Sequence, residues 1–190
     1  MATKSSPRRI TLAPALVGVA ILAAGCSQPD AKTPTTHDPA VLQGMAQSCT
    51  QRSEPEACRI ACEGGLFPSC SDLGHLYELG LNVPRDGVAA SSYYRMGCNG
   101  GDMASCFNAA YVLENGIAGR RDAGCALALY NYSCDGGFAR GCLVAGFMYK
   151  SGVDVKKDDA RAAAVFKKAC DAGNVSGCNQ LKELGQKQGP

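Results

Sequence analysis

Eight of the twelve cysteines form four pairs that recur with a fixed period. The first member of each pair returns every 36 residues, and the second follows eight positions later. The pairs are Cys62 and Cys70, Cys98 and Cys106, Cys134 and Cys142, and Cys170 and Cys178. Paired cysteines make either disulfides or zinc sites, and zinc ligand pairs favour two to four intervening residues. Because seven residues intervene here and the pairs follow an N-terminal segment with the features of an export signal, the spacing favours disulfides.

The other four cysteines lie outside this pattern. Cys49 and Cys58 are nine positions apart, in a segment whose stretches 39–48 and 54–61 look like a shortened first hairpin. We predict that they form a fifth disulfide. Cys125 is the odd cysteine of the folded part, and we predict a surface thiol there, with a buried inert cysteine as the alternative.

Residues between the cysteine pairs have the spacing of two helices in each period. Leu73 and Tyr77 lie on one helix face, and Gly80 follows as a helix terminator. Asp86 is placed to cap a second helix, whose apolar stripe includes Tyr94. Such a hairpin cannot bury its apolar face alone, so neighbouring hairpins must stack. We therefore predict an all-α fold, an α/α solenoid of about three full and two partial 36-residue hairpins stapled by disulfides.

The composition bounds how such a solenoid can be stabilised. Aromatic residues make up only 6% of the chain and Trp is absent, whereas Gly and Cys are frequent. We expect the disulfides to replace a large aromatic core.

The first 25 residues have the features of an export signal. Arg8 and Arg9 precede an apolar run over 10–24, which is shorter than the roughly 20 residues of a membrane-spanning helix. The run ends in Leu22-Ala23-Ala24-Gly25-Cys26, which resembles the bacterial lipobox, whose cysteine receives diacylglycerol before cleavage. We predict a lipoprotein signal peptide over 1–25 and lipidation of Cys26. An ordinary cleavage site and a twin-arginine signal are the alternatives.

Residues 26–38 are rich in Pro, Thr and charge, and we predict a flexible tether there, followed by the folded domain over 39–190. Ser27 follows the cysteine where Asp would indicate inner-membrane retention in the sorting rule it resembles. We therefore expect anchoring in the cell envelope, at the outer membrane and facing the periplasm. Residues 26–190 carry 16 basic and 17 acidic side chains. This balance argues against nucleic acid or an anionic membrane surface as a partner, so the lipid is the expected membrane contact.

The pattern Leu73-Gly74-x-x-Tyr77-x-x-Gly80, followed by Asp86-x-x-x-Ala90-x-x-Tyr93-Tyr94, resembles the Sel-one-like repeat (SLR). The added cysteine pairs resemble its cysteine-rich Hcp-type branch. The resemblance covers residues 39–185 and implies a solenoid related to tetratricopeptide repeats, with roles in protein–protein contact and scaffolding. It also implies that the column of Cys125 is exposed.

This sequence departs from the family's pattern at one loop position. The loop glycine of the family is replaced by Asn82, Ala118 and Asp154. Asn and Asp tolerate a left-handed backbone whereas Ala does so poorly, and we expect Gly119 to adopt that conformation in the second repeat.

The Hcp-type resemblance also implies penicillin binding or β-lactamase activity, so an enzyme is the alternative to a binding module. No Ser or Thr is followed three residues later by Lys, and His37 and His75 are the only histidines. A serine β-lactamase and a histidine zinc site therefore lack their residues. The recurring Asp86, Asp122 and Asp158 are explained as helix caps. We expect no catalytic residue, metal or cofactor, and a β-lactamase-like hydrolase is the alternative function.

A stripe on the first helix of each repeat lies opposite the apolar stripe. It comprises Ser71, His75 and Glu78, then Phe107, Tyr111 and Glu114, then Leu143, Phe147 and Lys150. The resemblance implies that this helix lines the inner curve of the solenoid, so His75, Phe107, Tyr111 and Phe147 form a candidate ligand groove. The alternative is that superhelical packing buries them. The expected function is a secreted, lipid-anchored scaffold that binds a protein or peptide partner, or a peptidoglycan-related envelope ligand.

Overall fold

The computed structural model describes residues 38–187, and within that range it consists of nine α-helices connected by short loops. Each helix packs against the next along the chain, so successive hairpins stack. The helices are α1 (Pro39–Arg52), α2 (Pro55–Glu63), α3 (Pro68–Leu79), α4 (Gly87–Asn99), α5 (Met103–Asn115), α6 (Ala123–Asp135), α7 (Ala139–Ser151), α8 (Asp159–Asp171) and α9 (Val175–Lys187). The predicted all-α solenoid of stacked hairpins is confirmed. The predicted signal peptide and tether lie outside these residues, apart from residue 38.

Local sequence signals set the helix ends. Gly80 ends α3 in a left-handed conformation, with φ of 74°, which costs a glycine little. Asp86 precedes α4, and its side-chain oxygen accepts hydrogen bonds from the backbone N–H groups of Val88 and Ala89. Asp122 and Asp158 cap α6 and α8 in the same way.

Disulfides connect each hairpin to the next. Cys62 at the end of α2 bonds Cys70 in α3, across a tight turn in which Gly65 has a φ of 95°. The same connection recurs at Cys98–Cys106, Cys134–Cys142 and Cys170–Cys178, and Cys49–Cys58 joins α1 to α2. The four bridges of the periodic pairs span repeat boundaries and fix the stacking of neighbouring helices, whereas Cys49–Cys58 closes the first hairpin itself.

The prediction of a surface thiol at Cys125 is wrong, whereas the burial expected in the alternative is observed. Cys125 is only 8% exposed and is disulfide-bonded. The column that it shares with Ala89 and Arg161 is not uniform, since Ala89 is half-buried and Arg161 is exposed. Exposure at this column therefore differs between repeats, so the family pattern could not predict the burial of Cys125.

An aromatic column runs through the core, contrary to the expectation that disulfides replace it. Tyr94, Tyr130 and Phe166 occupy equivalent positions in α4, α6 and α8 and are at most 1% exposed. Two glycines make room for these rings. A Cβ on Gly74 would lie 2.6 Å from the Tyr94 ring, and one on Gly146 would lie 2.4 Å from the Phe166 ring. Disulfides and large aromatic side chains thus both support the stack.

The loops within the hairpins use left-handed residues as the sequence predicts. Asn82 and Asp154 have φ of 58° and 61°, and in the second repeat Gly119 takes the positive φ, at 112°. The prediction for Gly119 is therefore confirmed.

Within residues 38–187, every helix is too short or too polar to cross a bilayer.

Candidate functional site

Three of the four predicted groove side chains lie exposed at equivalent positions of successive repeats. His75 on α3 is exposed, Tyr111 on α5 is 43% exposed and Phe147 on α7 is 42% exposed. Part of Phe147 contacts the core, because its ring meets Phe166 edge-on with 5.4 Å between the ring centroids. The column therefore presents ring surface at a regular spacing along the first helices.

Phe107, the fourth predicted groove residue, packs inside the stack. It is half-buried, and its ring lies 5.3 Å from that of Tyr130 and 5.5 Å from that of Phe138. The Arg140 guanidinium lies over the same ring at 5.4 Å. Phe107 thus joins the second repeat to the third, which is the packing alternative for this position.

Two glutamates that the sequence places on the outward stripe are tied to core tyrosines. The Tyr94 hydroxyl donates to Glu78 at 2.7 Å, and the Tyr130 hydroxyl donates to Glu114 at 2.8 Å. Burial, and then the neighbouring carboxylate, raise the pKa of Tyr94 and Tyr130 far above the usual tyrosine range. Each bond satisfies a phenol in the core and fixes a carboxylate at the edge of the groove.

The third repeat replaces this pair of residues. Phe166 has no hydroxyl, and Lys150 stands where the earlier repeats have Glu78 and Glu114. The Lys150 ammonium instead donates to Gln180 at 2.6 Å and to Glu183 at 2.8 Å, both on α9. The change of both partners together was visible in the sequence, and it was the one signal that could have predicted the tyrosine–glutamate contact.

The acidic and metal-ligating residues of residues 38–187 do not gather into a metal site. No group of three or more His, Cys, Asp or Glu side chains converges in that range. Asp86, Asp122 and Asp158 act as helix caps. The predicted lipidation site, Cys26, lies outside the described residues.

A family model described as the Sel1 repeat matches residues 68–102, 104–138 and 139–174. These spans correspond to the hairpins α3–α4, α5–α6 and α7–α8. The chain belongs to the Sel1 repeat family. The hairpin α1–α2 and the last helix α9 flank the three Sel1 repeats at either end of the stack.

Solved structures of other Sel1-type proteins share this fold. A protective antigen of uropathogenic Escherichia coli with an SLR fold superposes with a TM-score of 0.68 and 20% identity over 80% of this chain. A Sel1 repeat protein from Oxalobacter formigenes gives 0.66 and 16% over 76%. This chain spans 34% of the first structure and 59% of the second.

A third structure shares the cysteine-rich character as well as the fold. Helicobacter pylori cysteine-rich protein B superposes with a TM-score of 0.53 and 22% identity, over 73% of this chain and 96% of that one. No curated protein matches the chain in sequence. The Sel1 repeats therefore establish the scaffold, while the partner must be argued from the surface.

Proposed function

We propose that this Sel1 repeat protein is an extracytoplasmic scaffold that binds a protein or peptide partner along the groove face of α3, α5 and α7. The observation that carries the proposal is the exposed column of His75, Tyr111 and Phe147. Aromatic side chains bury large contact areas at low conformational cost and are enriched where proteins bind each other. Their recurrence on three stacked helices suits a partner that extends along the solenoid.

The rigidity of the stack supports this role. Disulfides hold successive hairpins together, and the Tyr94–Glu78 and Tyr130–Glu114 bonds anchor the second helix of the first two Sel1 repeats to the groove edge. A preorganised surface loses little conformational freedom on binding, so more of the contact energy appears as affinity. A peptidoglycan-related envelope ligand is the other partner class that such a surface would accommodate.

The proposed location is the cell envelope, with the chain held by lipid at Cys26. Disulfides persist in oxidising compartments, and five of them lie within residues 38–187. The apolar run before Cys26 resembles a lipobox and Ser27 resembles the residue that directs a lipoprotein to the outer membrane, and both support this location.

The binding function is tested by affinity capture from envelope extract. Tyr111→Ala combined with Phe147→Ala should abolish capture of partners retained by the wild type. Val88→Ala is the matched control, because Val88 is 63% exposed on α4, away from the column. Circular dichroism should show unchanged helicity. The thermal midpoint should fall only modestly, since Phe147 keeps part of its surface in water.

Equal capture by the double variant and the wild type would contradict the groove proposal. A collapse of the fold would show that the two rings serve the core, where losing an aromatic side chain costs about 3–5 kcal/mol. A nitrocefin assay on the same oxidised preparation tests the β-lactamase-like alternative.

A further inference from the structure

A pocket of about 460 Å³ lies between the second and third Sel1 repeats, beside the groove column. Its apolar wall is formed on α7 by Val144, Phe147 and Met148. Val153 closes one side from the following loop, and Ala123 closes the other from the start of α6. The pocket is therefore continuous with the exposed face of Phe147.

The corresponding place one repeat earlier is filled by the chain itself. Ile117 is the equivalent of Val153, and it packs against the core cluster that contains Val112. Its carbonyl oxygen lies directly over Gly87, where a Cβ would be only 2.1 Å away. Because residue 87 is a glycine, the loop after α5 can approach the start of α4 closely and place the Ile117 side chain in the position that corresponds to the pocket.

Two substitutions prevent the third repeat from closing in this way. Ala123 stands at the position of Gly87, and its methyl group occupies the space that the loop carbonyl would need. The left-handed residue is Asp154, one position earlier than its counterpart Gly119, and this turn directs Val155 towards the core. Val153 is left 65% exposed at the mouth of the pocket.

The first helices also approach each other less closely at this boundary. Between α3 and α5, the Asn108 amide donates to the Ser71 hydroxyl at 2.9 Å, and the two helices pack directly. The residue equivalent to Asn108 is Val144 on α7, which cannot make such a bond, and α5 barely touches α7. The gap is consequently wider and lined by hydrocarbon.

We propose that this pocket binds one branched aliphatic side chain of a peptide segment whose flanking residues are acidic. The second repeat gives the template, because the same space there holds an isoleucine of the chain. The inference rests on the proposed function, since it names the kind of segment that the groove accepts.

Charge complementarity selects the acidic flanks. Residues 139–187 carry nine basic and five acidic side chains, whereas residues 38–138 carry six basic and eleven acidic ones. The rim itself is balanced, with Arg121 bonded to Asp154 and with Lys150 and Glu114 also lining the pocket. The net positive charge of the third repeat and α9, on one side of the pocket, therefore favours an anionic segment, and the apolar wall fixes which side chain enters.

The test is a selection of random nonapeptides displayed on phage, using the full oxidised chain as bait. The selected peptides should share one Ile, Val or Leu with Asp or Glu beside it. Replacing that aliphatic residue by Ala in a synthetic selected peptide should weaken the Kd by about 10- to 100-fold, the effect of removing a buried aliphatic side chain. Replacing its acidic neighbours by Lys should weaken binding further at low salt.

Val144→Phe fills the pocket and should reduce binding of the selected peptide at least tenfold, whereas Val88→Phe makes the same change at an exposed site on α4 and should not. If Val144→Phe fails to fold, the Kd of the Ala-substituted peptide for the wild-type protein still tests the pocket. Selected peptides without an aliphatic anchor, or bound equally by Val144→Phe, would overturn the pocket while leaving the groove intact. Retention of no peptide would overturn both.

Discussion

Removing the Tyr130 hydroxyl should destabilise the solenoid without altering its shape. In the wild type this hydroxyl donates to Glu114 at 2.8 Å while the ring is 1% exposed. Tyr130→Phe keeps the ring in place and deprives a half-buried carboxylate of its donor. A hydrogen bond to a charged group contributes about 1.5–3 kcal/mol, so the free energy of unfolding should fall by about that amount at pH 8.

Urea unfolding followed by circular dichroism measures the change. Tyr111→Phe is the matched control, because it removes the same hydroxyl group from the same repeat. Tyr111 lies on α5 and is 43% exposed. The control should lie within about 0.5 kcal/mol of the wild type. Unchanged slopes of the urea dependence would show that the two variants unfold to equally exposed chains.

The pH dependence separates the hydrogen bond from simple repacking. An unfolded tyrosine has a pKa of about 10. Burial, and then the neighbouring Glu114, raise the pKa of Tyr130 in the native state far above that value. Between pH 8 and pH 11 the unfolded tyrosine therefore loses its proton while the native one keeps it. The unfolded state is favoured by this difference, and the advantage of the wild type over Tyr130→Phe should shrink by about 1.4 kcal/mol.

Two results would refute this reasoning. A difference below about 0.5 kcal/mol at pH 8 would mean that Glu114 finds water as readily as it finds the phenol. A difference that stays constant from pH 8 to pH 11 would mean that the native tyrosine ionises as it does in the unfolded chain.

Three further predictions follow from the helix ends, the bridges and the N-terminal signal. Asp122→Ala removes the acceptor for the backbone N–H of Cys125 and should cost about 1 kcal/mol, measured as a lower urea midpoint. Removing one internal bridge with Cys98→Ser and Cys106→Ser should cost about 2.5 kcal/mol, the loop-closure value for nine residues, and peptide mapping should leave the other bridges intact. Cys26→Ser should abolish metabolic labelling by a fatty-acid analogue, whereas Cys125→Ser should keep it; equal labelling of Cys26→Ser and the wild type would contradict lipidation.

The helix boundaries were predictable because their causes are local. Gly80 and Asp86 act on backbone groups within a few residues of themselves, so a short stretch of sequence contains both the signal and its effect. The repeat boundaries were predictable for a related reason, since the two cysteines of each bridge are separated by only eight positions and recur with the period. In this repeat protein, the contact between neighbouring hairpins is therefore set by residues that lie close together in the sequence.

The surface was less predictable because it depends on contacts between repeats. Glu78 lies 16 residues before Tyr94, and helical spacing placed it on a solvent stripe, so only the joint change to Lys150 and Phe166 in the third repeat could have indicated that bond. Phe107 is covered by Phe138, directly before α7, and by Arg140 on α7, and this depends on the superhelical twist. Helical spacing gives the direction of a side chain on its own helix, and it cannot give what the neighbouring helix places above it.

The differences between repeats, more than their likeness, account for the proposed specificity. A strictly periodic solenoid would close every boundary as Ile117 and Gly87 close the one between the first and second Sel1 repeats. At the boundary between the second and third repeats, Val144, Ala123 and Asp154 depart together from that solution, and their combined effect is a wider gap with an apolar wall. Since the disulfides fix the stacking at each boundary, these loop and wall residues can change without loss of the fold. The cross-linked scaffold thereby leaves one boundary open to hold a side chain that the chain itself does not provide.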